Sequence, residues 1–196
     1  MMEDLFREME IYAEENHVPI IRAAARDVFL QVVKEAAPRR ILEIGTAIGY
    51  SALLMADALP ELESITTLEL SEDRAALAQD YIERSPYREK IDILTGDAGE
   101  LLNSLEEKYD LVFIDAAKGQ YPDYWRKIQP LLADRATVLA DNVLFRGYVF
   151  GTEPVPRRFR TIAKRLQEYL VLVEETTGFS TEILPDGDGL AVSRRR

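Results

Sequence analysis

The sequence predicts an open α/β sheet, mostly parallel, with helices on both faces. Three observations point there. Strand-length apolar runs alternate with helix-length segments from about residue 40 to 141. The runs "YDLVFID" and "ATVLAD" are almost continuously apolar, as strands covered on both faces are. And "LEIGTAIGYS", Leu42 to Ser51, reads as a strand entering a glycine turn and then a helix. A chain of 196 residues suits a single domain, 1–196, with enough length to bury a sizeable core.

Residues 1–37 read as two helices, about 3–15 and 20–36, with Pro19 near the start of the second, where proline is tolerated. Pro38 marks the break before the α/β core, 38–196. "RRILEIG" is the first strand and a helix follows from about Tyr50 to Leu59. "SITTLEL" is the second strand. "SEDRAALAQDYIERS" is the next helix, with Ser71 as its N-cap and acids in its first turn to match the helix dipole. "KIDIL" is a strand, "GELLNSLEE" a short helix, "YDLVFID" a strand and "YPDYWRKIQPLL" a helix that buries Trp125. "ATVLAD" is the next strand and about 157–173 a long helix. "FSTEIL" and "GLAVSRR", joined by the "PDGD" turn, then form a hairpin. Its last strand is expected to run antiparallel to the others.

Composition removes several classes. There is no cysteine, which excludes disulfides, thiolate zinc sites and iron–sulfur clusters and makes a reducing compartment the simple default. No apolar run approaches the ~20 residues that span a bilayer. The acidic start "MMEDLFREMEIYAEENH" has no signal-peptide core, so a cytoplasmic protein without a membrane partner is expected. The net charge of −11 opposes non-specific nucleic-acid binding. Against that total, "RRFRTIAKR" places Arg157, Arg158, Arg160, Lys164 and Arg165 together without an acid, and the chain ends in three arginines.

Ligands of open α/β sheets bind beyond the carboxyl ends of the strands. The glycine turn there reads Glu43-x-Gly45-x-x-x-Gly49, with Ala47 where a dinucleotide fingerprint has its second glycine. It also lacks the Lys-Ser/Thr pair of a phosphate-binding P-loop. This argues against an NAD-dependent oxidoreductase. Glu43, on the strand feeding the turn, repels phosphate and attracts an ammonium or sulfonium group. Glu69 ends the second strand, where an acid can take both ribose hydroxyls. Asp97, in "GDA" after the third strand, can meet an adenine edge. Each acid alone reads equally as a cap or a solvated strand end. Together they suit S-adenosylmethionine.

These motifs, with "FIDAAKGQY" and "LADN", resemble the metal-dependent class I O-methyltransferases, the group of catechol and caffeoyl-CoA O-methyltransferases, from about residue 16 to the end. The resemblance implies a Rossmann-like, seven-stranded sheet with an antiparallel last strand. It implies cofactor contacts at Val18, Glu43, Gly45, Ser51, Glu69, Asp97, Ala98 and Asp115. It also implies a homodimer, for which the N-terminal helices are candidate contacts.

Asp115, Asp141 and Asn142 follow two strands expected to be neighbours. An oxygen-only donor set selects a hard divalent cation such as Mg²⁺. On spacing alone, Asp115 as a helix cap and Asp141-Asn142 as a turn remain open; the resemblance aligns all three with the family's metal ligands. Lys118 aligns with the family's proposed general base. A free lysine is a poor base at neutral pH, but a nearby dication and loss of water disfavour its charged form. A set this complete argues against a binding module without activity.

For the acceptor, "ENHVPII" and "DNVLFRGYV" resemble the bacterial tRNA 5-hydroxyuridine methyltransferases of this family. Arg157, Arg158 and Arg160 are then candidates to dock tRNA phosphates, and Tyr148 and Phe150 to stack on a base. The expectation is methylation of 5-hydroxyuridine in tRNA to 5-methoxyuridine. The alternative is a small catechol-like phenol methylated by the same chemistry. Ala117 replaces the aromatic wall of the mammalian catechol enzyme and widens the pocket. His17 reads as structural.

Overall fold

The computed structural model describes residues 2–151 and 153–196. Two helices, α1 (Met2–Glu15) and α2 (Ala23–Ala36), precede the alternating core of β1 (Arg40–Ile44), α3 (Tyr50–Ala58), β2 (Ser64–Glu69), α4 (Glu72–Glu83), β3 (Ile91–Thr95), α5 (Ala98–Leu101), β4 (Tyr109–Ile114), α6 (Tyr121–Ile128) and β5 (Leu132–Ala140). Helix α7 (Arg160–Glu175) and the hairpin of β6 (Phe179–Leu184) and β7 (Leu190–Arg195) complete the chain. The seven strands form one sheet in the order β3-β2-β1-β4-β5-β7-β6. Its first five strands are parallel, and β7 runs antiparallel to both neighbours, as the hairpin reading expects. The order reverses between β1 and β4, and there the crossovers leave to opposite sides and open a crevice.

Two apolar clusters cover the sheet. One joins Met9 of α1 and Phe29 and Val33 of α2 to Leu53 and Met55 of α3 and the β1 and β4 side chains Ile41 and Phe113. The other joins Trp125 and Ile128 of α6 and Leu166 and Tyr169 of α7 to Val112, Ile114 and Val138. Alternate residues of β1 and β4 thus serve opposite faces, which is why these strands are apolar throughout. Trp125 is buried, and its indole N–H donates to Thr176 Oγ1 at 3.1 Å.

Three elements depart from expectation. Helix α2 begins at Ala23 rather than residue 20, with Arg22 in an extended conformation at its N-cap. Proline biases the residue before it away from helix, so Val18 to Ile21 run irregularly between α1 and α2. Strand β5 starts at Leu132, four residues early, and its pairing with β4 slips between Tyr109 and Leu111 to accommodate the extra length. The long last helix is a 3₁₀ turn over Arg157–Phe159 before α7 proper. Ser71 caps α4 as expected, its Oγ accepting from Arg74 N–H at 3.3 Å.

Candidate active site

A cleft of about 1610 Å³ opens at the carboxyl ends of β1, β2, β4 and β5. Val18, Gly45, Ser51, Glu69, Asp97, Ala98, Asp115, Lys118, Asp141 and Asn142 all line it. Most of the residues singled out in the sequence therefore meet in one space.

At the glycine turn a backbone amide is already engaged. Ala47, at φ 48°, already donates its N–H to Glu69 Oε2 at 2.8 Å. An amide that faces a carboxylate is not available to a pyrophosphate. Gly45 has a different task. A Cβ there would stand 2.1 Å from the Asp115 carbonyl oxygen, and its φ of 105° is itself unfavourable for other residues. The glycine lets β4 come up against the turn and sets Asp115 beside it.

Glu43 is placed otherwise than its sequence position suggests. It is fully buried and does not line the cleft. One oxygen accepts from Ser51 Oγ, the other from Thr67 Oγ1 at 2.5 Å, and Thr67 bonds Thr46 in turn at 2.6 Å. Burial raises its pKa to about 7 against the pull of the two hydroxyls, and the charges of Asp115 and Glu69 add to the rise. Ser51, which does face the cleft, stands between Glu43 and any ligand.

Glu69 is nearly buried and accepts from Ala47 N–H and from Ser71 N–H at 2.9 Å. Each oxygen keeps a second lone pair, so a ribose diol can still bind. Asp97 is exposed and caps α5, accepting from Glu100 N–H at 3.1 Å. His17, in the turn after α1, adopts a left-handed conformation (φ 54°) and borders the cleft.

Asp115 and Asp141 directly follow the paired residues Ile114 and Ala140, so both carboxylates emerge at one rim. Burial raises the pKa of each: Asp115 upward, with the Lys118 charge opposing, and Asp141 to about 6, with Asp115 adding to the rise. The Tyr121 hydroxyl, buried beneath, lies 3.0 Å from the Asp141 carbonyl and 3.3 Å from that of Ile114 and ties the two strand ends. Asn142 follows at φ 57°. Among the described residues, no three His, Cys, Asp or Glu side chains gather as a metal group. The donor set is two mutually repelling, half-buried carboxylates and one amide, and that chemistry fits a hard divalent cation.

The basic stretch divides. Arg157, Arg158 and Arg160 are exposed. Arg165 instead turns inward, its Nε donating to the Gly119 carbonyl at 2.9 Å and its Nη1 to Glu168 at 2.6 Å. It grips the turn that carries Lys118, so it is no phosphate-docking side chain. Tyr148 is likewise engaged: it stacks on Phe159 at 5.9 Å and meets Phe145 edge-on at 5.7 Å. Phe150 is exposed but does not line the cleft.

The comparisons with known proteins agree with this geometry. The profile of the O-methyltransferase family matches residues 1–196. The chain belongs to this family. A catechol O-methyltransferase of Niastella koreensis is 37% identical to this O-methyltransferase family member over 145 residues, 68% of the chain and 66% of the relative. A caffeoyl-CoA O-methyltransferase of Zea mays is 29% identical over 84% of the chain and 67% of its own length. A Podospora anserina methyltransferase, solved with S-adenosylhomocysteine (SAH) bound, superposes with a TM-score of 0.87 at 26% identity, over 98% of this chain and 88% of that one. The chain thus spans about two thirds of the curated relatives it matches. No helix among the described residues is long and apolar enough to cross a membrane.

Sequence reasoning missed the roles of Tyr121, Arg165 and Asp188. Apart from the Arg165–Glu168 pair, their partners lie 7 to 46 residues away along the chain, and no local pattern announces them.

Proposed function

We propose that the protein transfers a methyl group from S-adenosylmethionine to a hydroxyl of a small phenol that carries two neighbouring oxygens, as a catechol does. One observation carries this reading: Asp115, Lys118, Asp141 and Asn142 line the same cleft as the glycine turn and Glu69. The 37% identity to the Niastella catechol enzyme supports the acceptor class.

Asp115, Asp141 and Asn142 would hold a divalent cation, Mg²⁺ foremost. Such a cation supplies a fixed positive field that makes a nearby phenolic proton easier to remove. Glu69 and Asp97 bind the ribose and adenine ends of the donor, and Ser51 and Val18 border its amino-acid end. Lys118 takes the acceptor proton on Nζ. The acceptor oxygen forms its bond to the methyl carbon as the carbon–sulfur bond breaks, and the sulfur leaves uncharged. The protein's own contribution is chiefly to align these atoms.

The rival acceptor is 5-hydroxyuridine in tRNA, favoured by the exposed Arg157, Arg158 and Arg160. A single assay separates the two. Purified protein with S-adenosylmethionine and Mg²⁺ is offered catechol and undermodified tRNA, and products are read by mass spectrometry. Methylated catechol, lost on adding chelator or in Lys118→Ala, is the expected result. Methyl transfer to tRNA alone, sensitive to charge reversal at Arg157 and Arg158, would replace this reading with the rival.

A further inference from the structure

The stretch after Asp141 has an unusual backbone. Asn142, Phe145 and Arg146 all adopt left-handed conformations, at φ 57°, 45° and 58°, and Gly147 follows at 77°. Non-glycine residues pay for that region in conformational energy and keep it only where surrounding structure over-determines them. Here the surrounding structure is the turn between β6 and β7. Val143 N–H donates to the Gly189 carbonyl at 3.0 Å, and Leu144 N–H to the Asp188 carbonyl at 2.9 Å. Arg146 N–H donates to Asp188 Oδ1 at 2.6 Å. Gly189 is needed for the fit, since a Cβ there would stand 2.3 Å from Leu144 Cγ. Asp188, half-buried, also lines the cleft alongside Asn142, Phe145 and Arg146.

We propose that Asp188 is a positioning residue: its carboxylate pins the Arg146 amide and so fixes the 142–147 loop, which sets the Asn142 amide at the cation corner and Phe145 at the acceptor wall. The part concerning Asn142 rests on the metal reading above. The residue acts as a hydrogen-bond acceptor from outside the donor set. Groups that hydrogen-bond a metal ligand directly change metal affinity about 10- to 100-fold when removed, and Asp188, acting one step further out through the loop, should fall at the lower end of that range.

The variants Asp188→Ala and Asp188→Asn test this. Asparagine keeps an acceptor oxygen for the Arg146 amide; alanine does not. The first readout is hydrogen exchange of the Leu144 and Arg146 amides in the ligand-free chain. The second is Mn²⁺ binding followed by electron paramagnetic resonance, without substrate. Asp188→Ala should speed exchange at both amides and weaken Mn²⁺ at least about tenfold, whereas Asp188→Asn should stay near wild type in both. Unchanged exchange in Asp188→Ala overturns the pinning of the loop. Faster exchange with wild-type Mn²⁺ affinity overturns the link to Asn142 and leaves a merely structural turn. Equal damage in Asp188→Asn overturns the acceptor role in favour of a role for the charge. A wild-type chain that binds no Mn²⁺ removes the metal reading and the Asn142 part with it, while the exchange arm still decides the loop.

Discussion

Glu43 makes the stability of this protein depend on pH in a direction opposite to most acids. Its side chain is fully buried, and burial lifts its pKa from an ordinary 4.5 to about 7. Between these values the folded chain holds a proton that the unfolded chain has released. Stability from this group is therefore complete below about pH 4.5 and falls as pH rises, until the loss levels off above about 7. That gap corresponds to about 3 kcal/mol. Glu43→Gln cannot ionise. Its amide can accept from one hydroxyl and donate to the other, so the contacts to Ser51 and Thr67 survive in altered form. Urea unfolding of both proteins at pH 5, 6, 7 and 8, in chelator and without cofactor, isolates Glu43 and the carboxylates coupled to it, Asp115 and Glu69, because groups that do not interact with it cancel in the difference. The variant should gain on wild type as pH rises, by about 2–3 kcal/mol across the series. A difference that is flat in pH, or shrinks as pH rises, would refute the buried, proton-holding Glu43.

Two further outcomes follow from the geometry. Gly45→Ala should destabilise by more than about 2 kcal/mol, since its Cβ meets the Asp115 carbonyl and its backbone is unfavourable for alanine. Gly119→Ala, with open space around the added methyl, should melt like wild type; equal melting of both variants by circular dichroism would remove the close-approach argument. Tyr121→Phe keeps the ring between α6 and the sheet but removes the hydroxyl that ties the Ile114 and Asp141 carbonyls. It should cost about 1 kcal/mol in urea unfolding, and unchanged stability would show that the tie contributes nothing.

The alternation of buried strands and amphipathic helices was legible in the sequence because period and apolar content are local properties. So were the Ser71 cap and the β6–β7 hairpin, which depend on a few neighbouring residues. The cleft-lining acids could be named from strand ends alone, because an open parallel sheet puts every carboxyl end on one edge. Pro19 misled by a few residues, since the proline that opens one helix can equally hold a connector extended. Glu43 was placed on the correct strand but credited with direct contact; strand position does not say that Ser51 and Thr67 close over it.

The sequence by itself determined the sheet, its antiparallel last strand, the lack of a phosphate cradle and the identity of Glu69, Asp115, Lys118, Asp141 and Asn142 as candidates. The tertiary structure alone decided what holds them. Ala47 faces Glu69, Gly45 makes room for Asp115, Tyr121 ties two strand ends, Arg165 grips the Lys118 turn and Asp188 accepts from the Arg146 amide. Those pairs are joined through the fold, across up to 70 residues of chain in the case of Gly45 and Asp115. Hydrogen bonds at such separation follow from how elements pack, and no local pattern encodes them.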